Sequence, residues 1–166
     1  MSDPEQVVDK NDEDAFKPFR IESAPWREHS EGDRFGLRWQ PLSRFAGGTH
    51  LGVEICELAP GKQAYPAHFH MLEEEHMLIL DGSATLLLGK KAYEVTAGDY
   101  VCFPAGQQVG HALVNNGSEV CRYLMVGEDR REEVVVYTDS NKVGVRALGA
   151  RFPMERTMDY WEGEDT

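Results

Sequence analysis

His68 and His70 stand two apart in the stretch Gly61-Lys-Gln-Ala-Tyr-Pro-Ala-His-Phe-His-Met-Leu-Glu-Glu-Glu-His-Met-Leu-Ile-Leu-Asp-Gly82. In a β-strand alternate side chains share a face, so both imidazoles point one way and Phe69 the other. Two imidazoles on one face are half of a divalent-metal site. One of the acids that follow, Glu73, Glu74 or Glu75, can add an anionic oxygen from a turn or from the next strand. His111 is the candidate for a further donor, because it follows the turn Pro104-Ala-Gly106 and opens the apolar run Ala112-Leu-Val. Imidazole suits Zn, Fe, Ni, Cu and Mn. Three imidazoles and one carboxylate leave one or two metal positions open for water or substrate.

Other residues of these types read more simply. His76 alternates away from Glu75 and is expected on a wall or the surface, and His29 and His50 have no partner pattern. Two of the three consecutive glutamates are expected in a solvated acidic turn. Asn115-Asn116-Gly117 reads as a turn and Lys90-Lys91 as a solvated hairpin tip. Cys56, Cys102 and Cys121 form no short Cys-x-x-Cys pair and read as reduced, strand-borne core residues.

The elements that must position the candidate donors are short strands. Apolar alternation marks Arg34–Trp39, Leu51–Leu58, His76–Leu80, Ala84–Leu88, Ala92–Val95, Tyr100–Phe103, Ala112–Val114, Val120–Val126, Val134–Tyr137 and Lys142–Ala147. Gly, Pro, Asn or Asp separates them, and Asp81-Gly82 reads as a hairpin turn. This rhythm predicts an antiparallel all-β barrel or sandwich, with no long amphipathic helix. Residues 1–15 are expected to be a disordered acidic tail, 16–150 the barrel with an N-terminal arm, and 151–166 an acidic, aromatic extension that covers the barrel or a subunit contact.

Two ordered motifs carry a resemblance. Gly61-x6-His68-x-His70-x4-Glu75-x6-Gly82 is similar to the first motif of the cupin superfamily, and Gly98-x5-Pro104-x-Gly106-x4-His111-x3-Asn115 to its second. The likeness covers roughly residues 50–126 and extends to small single-domain cupins of the mannose-6-phosphate isomerase-like kind. It implies a double-stranded β-helix, or jelly-roll, barrel whose ligands are His68, His70, Glu75 and His111. The spacing to Gly82 favours Glu75 among the three acids. The resemblance also implies one divalent ion (Zn, Mn, Fe or Ni), no organic cofactor, a small-molecule ligand and a homodimer. The chain departs from the pattern in two turns, with six residues where the family usually has five before the first histidine, and four where it has two before the last.

Composition bounds the function. The chain has 166 residues, 29 acids against 17 Lys plus Arg, and a net charge of −12. Six acids against one lysine fall in residues 1–14, and five against one arginine in 155–166, so the acidity belongs largely to the ends. Nucleic acid and anionic membranes are not expected partners. No apolar run of about 18 residues is present, the start lacks a secretion-signal layout, and a cytoplasmic address is expected. Three functions remain: an isomerase or epimerase of a sugar or sugar phosphate, an Fe(II)-dependent dioxygenase, and a metal-dependent binding protein without turnover. A phosphate ester would require basic residues at the mouth, for which Lys62, Arg44 and Arg122 are candidates.

Overall fold

The structure, a computed structural model, describes residues 17–155 and 157–165, so the expected tail at 1–15 lies outside the described residues. Thirteen strands form two sheets among these residues. In chain order they are β1 (Arg27–Glu31), β2 (Phe35–Pro41), β3 (Leu51–Leu58), β4 (His68–His70), β5 (Glu75–Asp81), β6 (Ser83–Leu88), β7 (Lys91–Thr96), β8 (Tyr100–Phe103), β9 (His111–Val114), β10 (Cys121–Glu128), β11 (Val134–Tyr137), β12 (Lys142–Val145) and β13 (Ala150–Pro153). A six-stranded sheet runs β1-β2-β3-β10-β5-β8 and a seven-stranded sheet runs β13-β12-β11-β4-β9-β6-β7, with antiparallel pairing between the named strands throughout. The fold is an all-β jelly-roll barrel.

Period-two alternation builds the core. Met77 and Ile79 of β5, Ala84 and Leu86 of β6, Cys56 and Leu58 of β3, and Cys121 and Tyr123 of β10 point between the sheets and are buried. Each large side chain so buried contributes about 1.5–3 kcal/mol by leaving water. The buried Asn115 fastens the far end of β9, its Nδ2 donating to the carbonyls of Leu58 and Glu119 at 2.8 Å and its Oδ1 accepting from Gly117 N–H.

Three local readings differ from the sequence expectation. Asp81-Gly82 is not a hairpin, since β5 pairs with β10 and β8 while β6 pairs with β7 and β9. Gly82 is instead the corner at which the chain leaves one sheet for the other. It has φ of +74°, and a Cβ there would lie 2.5 Å from the Val120 carbonyl, so glycine is required by conformation and by space. The hairpin expected at Lys90-Lys91 does form, at Gly89-Lys90, where Leu88 pairs with Lys91. Strand β1 (Arg-Glu-His-Ser-Glu) lacks an apolar face and is held by its pairing to β2. Helix α1 (Leu42–Phe45) occupies the connection after β2. The segment before β1 packs on the barrel through Gln40 Nε2, which donates to the carbonyls of Ile21 and Ala24, and through Phe19 edge-on to Phe45. At the other end Met158, Tyr160 and Trp161 are exposed.

Candidate metal centre

Strand pairing brings the candidate donors together at one end of the barrel. His68 and His70 share the inner face of β4, and His111 of β9 is the cross-strand partner of His68. Glu75 arrives from the other sheet, at the start of β5. The longer turn before His111 is absorbed outside the cup: Gly106 N–H donates to the His70 carbonyl at 2.8 Å, and the Gly110 carbonyl accepts from Gly89 N–H at 2.8 Å. His111 therefore keeps its level opposite His68.

His68, His70 and Glu75 converge, and His111 meets them through Glu75. One ligand atom each from His68, His70 and Glu75 lies within 4.8 Å of the others. Glu75 Oε2 is 3.3 Å from both His70 Nε2 and His111 Nε2. The His68 and His111 rings lie 4.7 Å apart between centroids, and the Phe103 ring stacks on His111 at 3.9 Å and 15°. His68 Nδ1 donates to the Pro66 carbonyl at 2.8 Å, which fixes the tautomer and leaves Nε2 with its lone pair free. On the side of the cup, His70 Nε2, Glu75 Oε2 and His111 Nε2 are all buried without a hydrogen bond. Buried polar atoms without a hydrogen bond are costly in a folded protein. Facing one another here, they are the arrangement a divalent cation would satisfy, so the residues present fit such an ion.

Burial and the neighbouring carboxylates pull these groups in opposite directions. Burial, then the neighbouring His111, lowers His68 to about 4, so the ring stays neutral. Burial opposes charge on His70 too, but the carboxylates of Glu73 and Glu75 outweigh it and raise the ring to about 10. Glu75 is pushed up by burial yet pulled well below the usual carboxylate range by His111 and His70. Glu54 shares the inner face of β3 with Cys56 and Leu58, and it is raised by burial and by the charge of Glu75. Glu75 stands opposite Gly127 on β10, and Gly127 opposite Gly52 on β3, so no side chains follow Glu75 along that row.

The remaining candidates are placed as follows. Glu74 is the acid that faces outward, 3.0 Å from His76 Nε2, while His76 Nδ1 is 2.5 Å from the Tyr100 hydroxyl. His76, Glu74 and Cys102 cluster on the outer face of β5 and β8. Glu73 is not in a solvated turn: it is buried between His70 and Arg146, with Nη2 of Arg146 donating to Oε2 at 2.9 Å. Its partner arginine is 73 residues away, so sequence spacing gave no signal for it. His29 stacks on Tyr65 at 5.0 Å, and Tyr65 stands edge-on to His68 at 6.5 Å. The basic candidates point at protein oxygens: Arg44 pairs with Asp129, Lys62 Nζ donates to the Asp33 carbonyl at 2.8 Å, and Arg122 lies 3.9 Å from Glu57.

Residues 54–127 match the family model for the cupin domain. The barrel is of the cupin type. It is 33% identical over 100 residues to quercetin 2,3-dioxygenase of Bacillus subtilis (strain 168), a match that takes in 58% of this chain and 30% of that protein. The chain thus spans less than a third of that relative's length. Among solved structures it resembles a sugar phosphate isomerase of the cupin superfamily from Silicibacter pomeroyi DSS-3, with 25% identity, TM-score 0.71, and coverage of 76% of this chain and 85% of that one. It also resembles a protein from Acidithiobacillus ferrooxidans ATCC 23270 provisionally described as a sugar phosphate isomerase, with 29% identity, TM-score 0.67, and coverage of 70% and 74%.

Proposed function

We propose that this cupin is an enzyme that binds one divalent metal through His68, His70, Glu75 and His111 and acts on a small, uncharged, hydroxyl-bearing molecule, with dioxygenation as its reaction. The observation that carries the reading is the set of buried ring nitrogens and one carboxylate oxygen that face each other without hydrogen bonds. A divalent cation bound there supplies Lewis acidity at a substrate oxygen and open positions for ligands. The chain's own groups do the rest. His68 offers Nε2 because Pro66 holds its Nδ1 proton, and Phe103 fixes the plane of His111. Glu54, on the inner face and raised from its ordinary value by burial and by the charge of Glu75, is the group to accept and return a proton.

Charge selects among substrates. Glu54 and Glu75 face the interior, and Glu73 and Glu133 stand behind His70. Such a cup attracts a cation and repels a phosphate dianion. Arg44, Lys62 and Arg122 are turned to protein oxygens. This disfavours a sugar phosphate and is compatible with a neutral phenol or enol, the class suggested by the name of the Bacillus subtilis relative. Isomerisation of a free sugar is the second reading, supported by the descriptions of the two structural neighbours.

Elemental analysis of protein purified without added metal tests the first step. Close to one divalent ion per chain is expected, and His70→Ala is expected to lose it while keeping its far-ultraviolet circular dichroism. Retained metal in that variant would refute the ligand set. Oxygen uptake with a panel of flavonols and catechols, set beside NMR of free hexoses and hexose phosphates, then separates the two reactions. On whichever substrate turns over, Glu54→Gln is expected to lower kcat by roughly 100-fold or more with metal content unchanged.

A further inference from the structure

His70 has a carboxylate environment on its far side as well as on its metal side. Its Nδ1, buried and without an aligned hydrogen bond, lies 3.3 Å from Glu73 Oε2 and 3.5 Å from Glu133 Oε1. Both acids are buried, Glu73 at 2% exposure and Glu133 at 0%. Two buried carboxylates close to one ring are costly unless their other bonds are fixed, and here they are. Glu133 Oε1 accepts from Met71 N–H at 2.8 Å and Oε2 from Leu72 N–H at 3.1 Å. Glu73 Oε1 accepts from Arg130 N–H at 2.6 Å, and the Arg146 guanidinium grips both Glu73 oxygens. Arg146 is itself tied down, its backbone N–H donating to the Glu133 carbonyl at 2.9 Å and its Nη1 to the Arg130 carbonyl at 2.8 Å.

His70, Glu73 and Glu133 also bring ligand atoms within 4.8 Å of one another, as a second metal site would. The partners argue otherwise. Both Glu133 oxygens already accept backbone N–H groups, and a guanidinium stands on Glu73 where a metal's charge would be. What remains for these acids to hold is the Nδ1 proton of His70.

We propose that Glu73 and Glu133, locked by Arg146, are positioning residues that hold the Nδ1–H of His70 and so aim Nε2 into the cup. Carboxylate–imidazole–metal chains of this kind fix the ring and strengthen the ligand. Two of the three residues, Glu133 and Arg146, lie beyond the cupin-matched segment that ends at residue 127. The strands that follow the family-matched segment therefore complete the metal site: β11 pairs with β4 and sets Val135 opposite His70, and Arg146 follows β12 directly.

This inference rests on the metal reading above, and the experiment separates the two. Zn(II) is titrated into full-length protein in competition with a chromophoric chelator, and the ring nitrogens of His70 are followed by ¹⁵N–¹H NMR in the Zn(II)-loaded state. The wild-type chain is expected to bind one Zn(II) with a proton on His70 Nδ1. Glu73→Gln is expected to bind about 10–100-fold more weakly and to shift the Nδ1 signal. Glu74→Gln, on the outer face, is the control expected to match wild type. Arg146→Lys keeps the charge but loses the two-pronged grip, and a smaller loss of several-fold is expected; it serves where Glu73→Gln fails to fold. Affinity within about twofold of wild type and an unmoved His70 signal in the variant that folds would overturn the brace. Failure of the wild-type chain to bind Zn(II) would overturn the metal reading instead.

Discussion

Glu75 is the residue on which the cup turns, because it alone of the four proposed ligands comes from the six-stranded sheet and lies against two of the three imidazoles. Its carboxylate has room only because position 127 is glycine. A Cβ there would lie 3.1 Å from Glu75 Cγ and 3.4 Å from Oε1, closer than packed carbons ordinarily sit. Gly127→Ala should therefore displace Glu75 by a few tenths of an ångström and weaken metal binding by roughly tenfold, with little change in the unfolding midpoint of metal-free protein. Competition titration beside a urea melt checks both halves. The shared face of His68 and His70 could be read from the sequence, since alternation alone sets them on one side of β4. The burial of Glu73 could not: the spacing that favours Glu75 does not show that an arginine 73 residues on will cover its neighbour. His29 escaped for a similar reason, because its stacking on Tyr65 depends on where β1 docks.

At the scale of the element, strands with one buried face announced themselves through alternation, as Met77 and Ile79 do in β5. Strand β1 is a charged edge whose pairing is its support, so it left no pattern to read. The Asp81-Gly82 dipeptide misled for a physical reason. Aspartate-glycine supplies the positive φ that a two-residue hairpin requires, and an inter-sheet corner requires the same of one residue. The corner is the stricter case, since the Val120 carbonyl fills the space a side chain would take. Gly82→Ala is accordingly expected to destabilise the barrel by at least about 2 kcal/mol, seen as a lower urea midpoint with an unchanged slope. A neutral result would mean that the corner has more freedom than its φ of +74° and crowding indicate.

For the molecule as a whole, the donors span both sheets, three from the seven-stranded and one from the six-stranded. A cation between them would tie the barrel's walls at its open end. An ion present at about 100 times its Kd stabilises the native state by roughly 2.7 kcal/mol, and for a chain of this size that is roughly 5–10 °C in Tm. Removing metal with a chelator should lower Tm by that amount and re-addition should restore it, whereas His70→Ala should show no response to either treatment. The unpopulated row beside Glu75 has its own consequence. Across Gly127 and Gly52 the wall is naked peptide for about 10 Å, the width of two strand spacings. A molecule lying there would be gauged by its thickness and by the amides it can reach, and a single added methyl at either glycine would narrow the gauge.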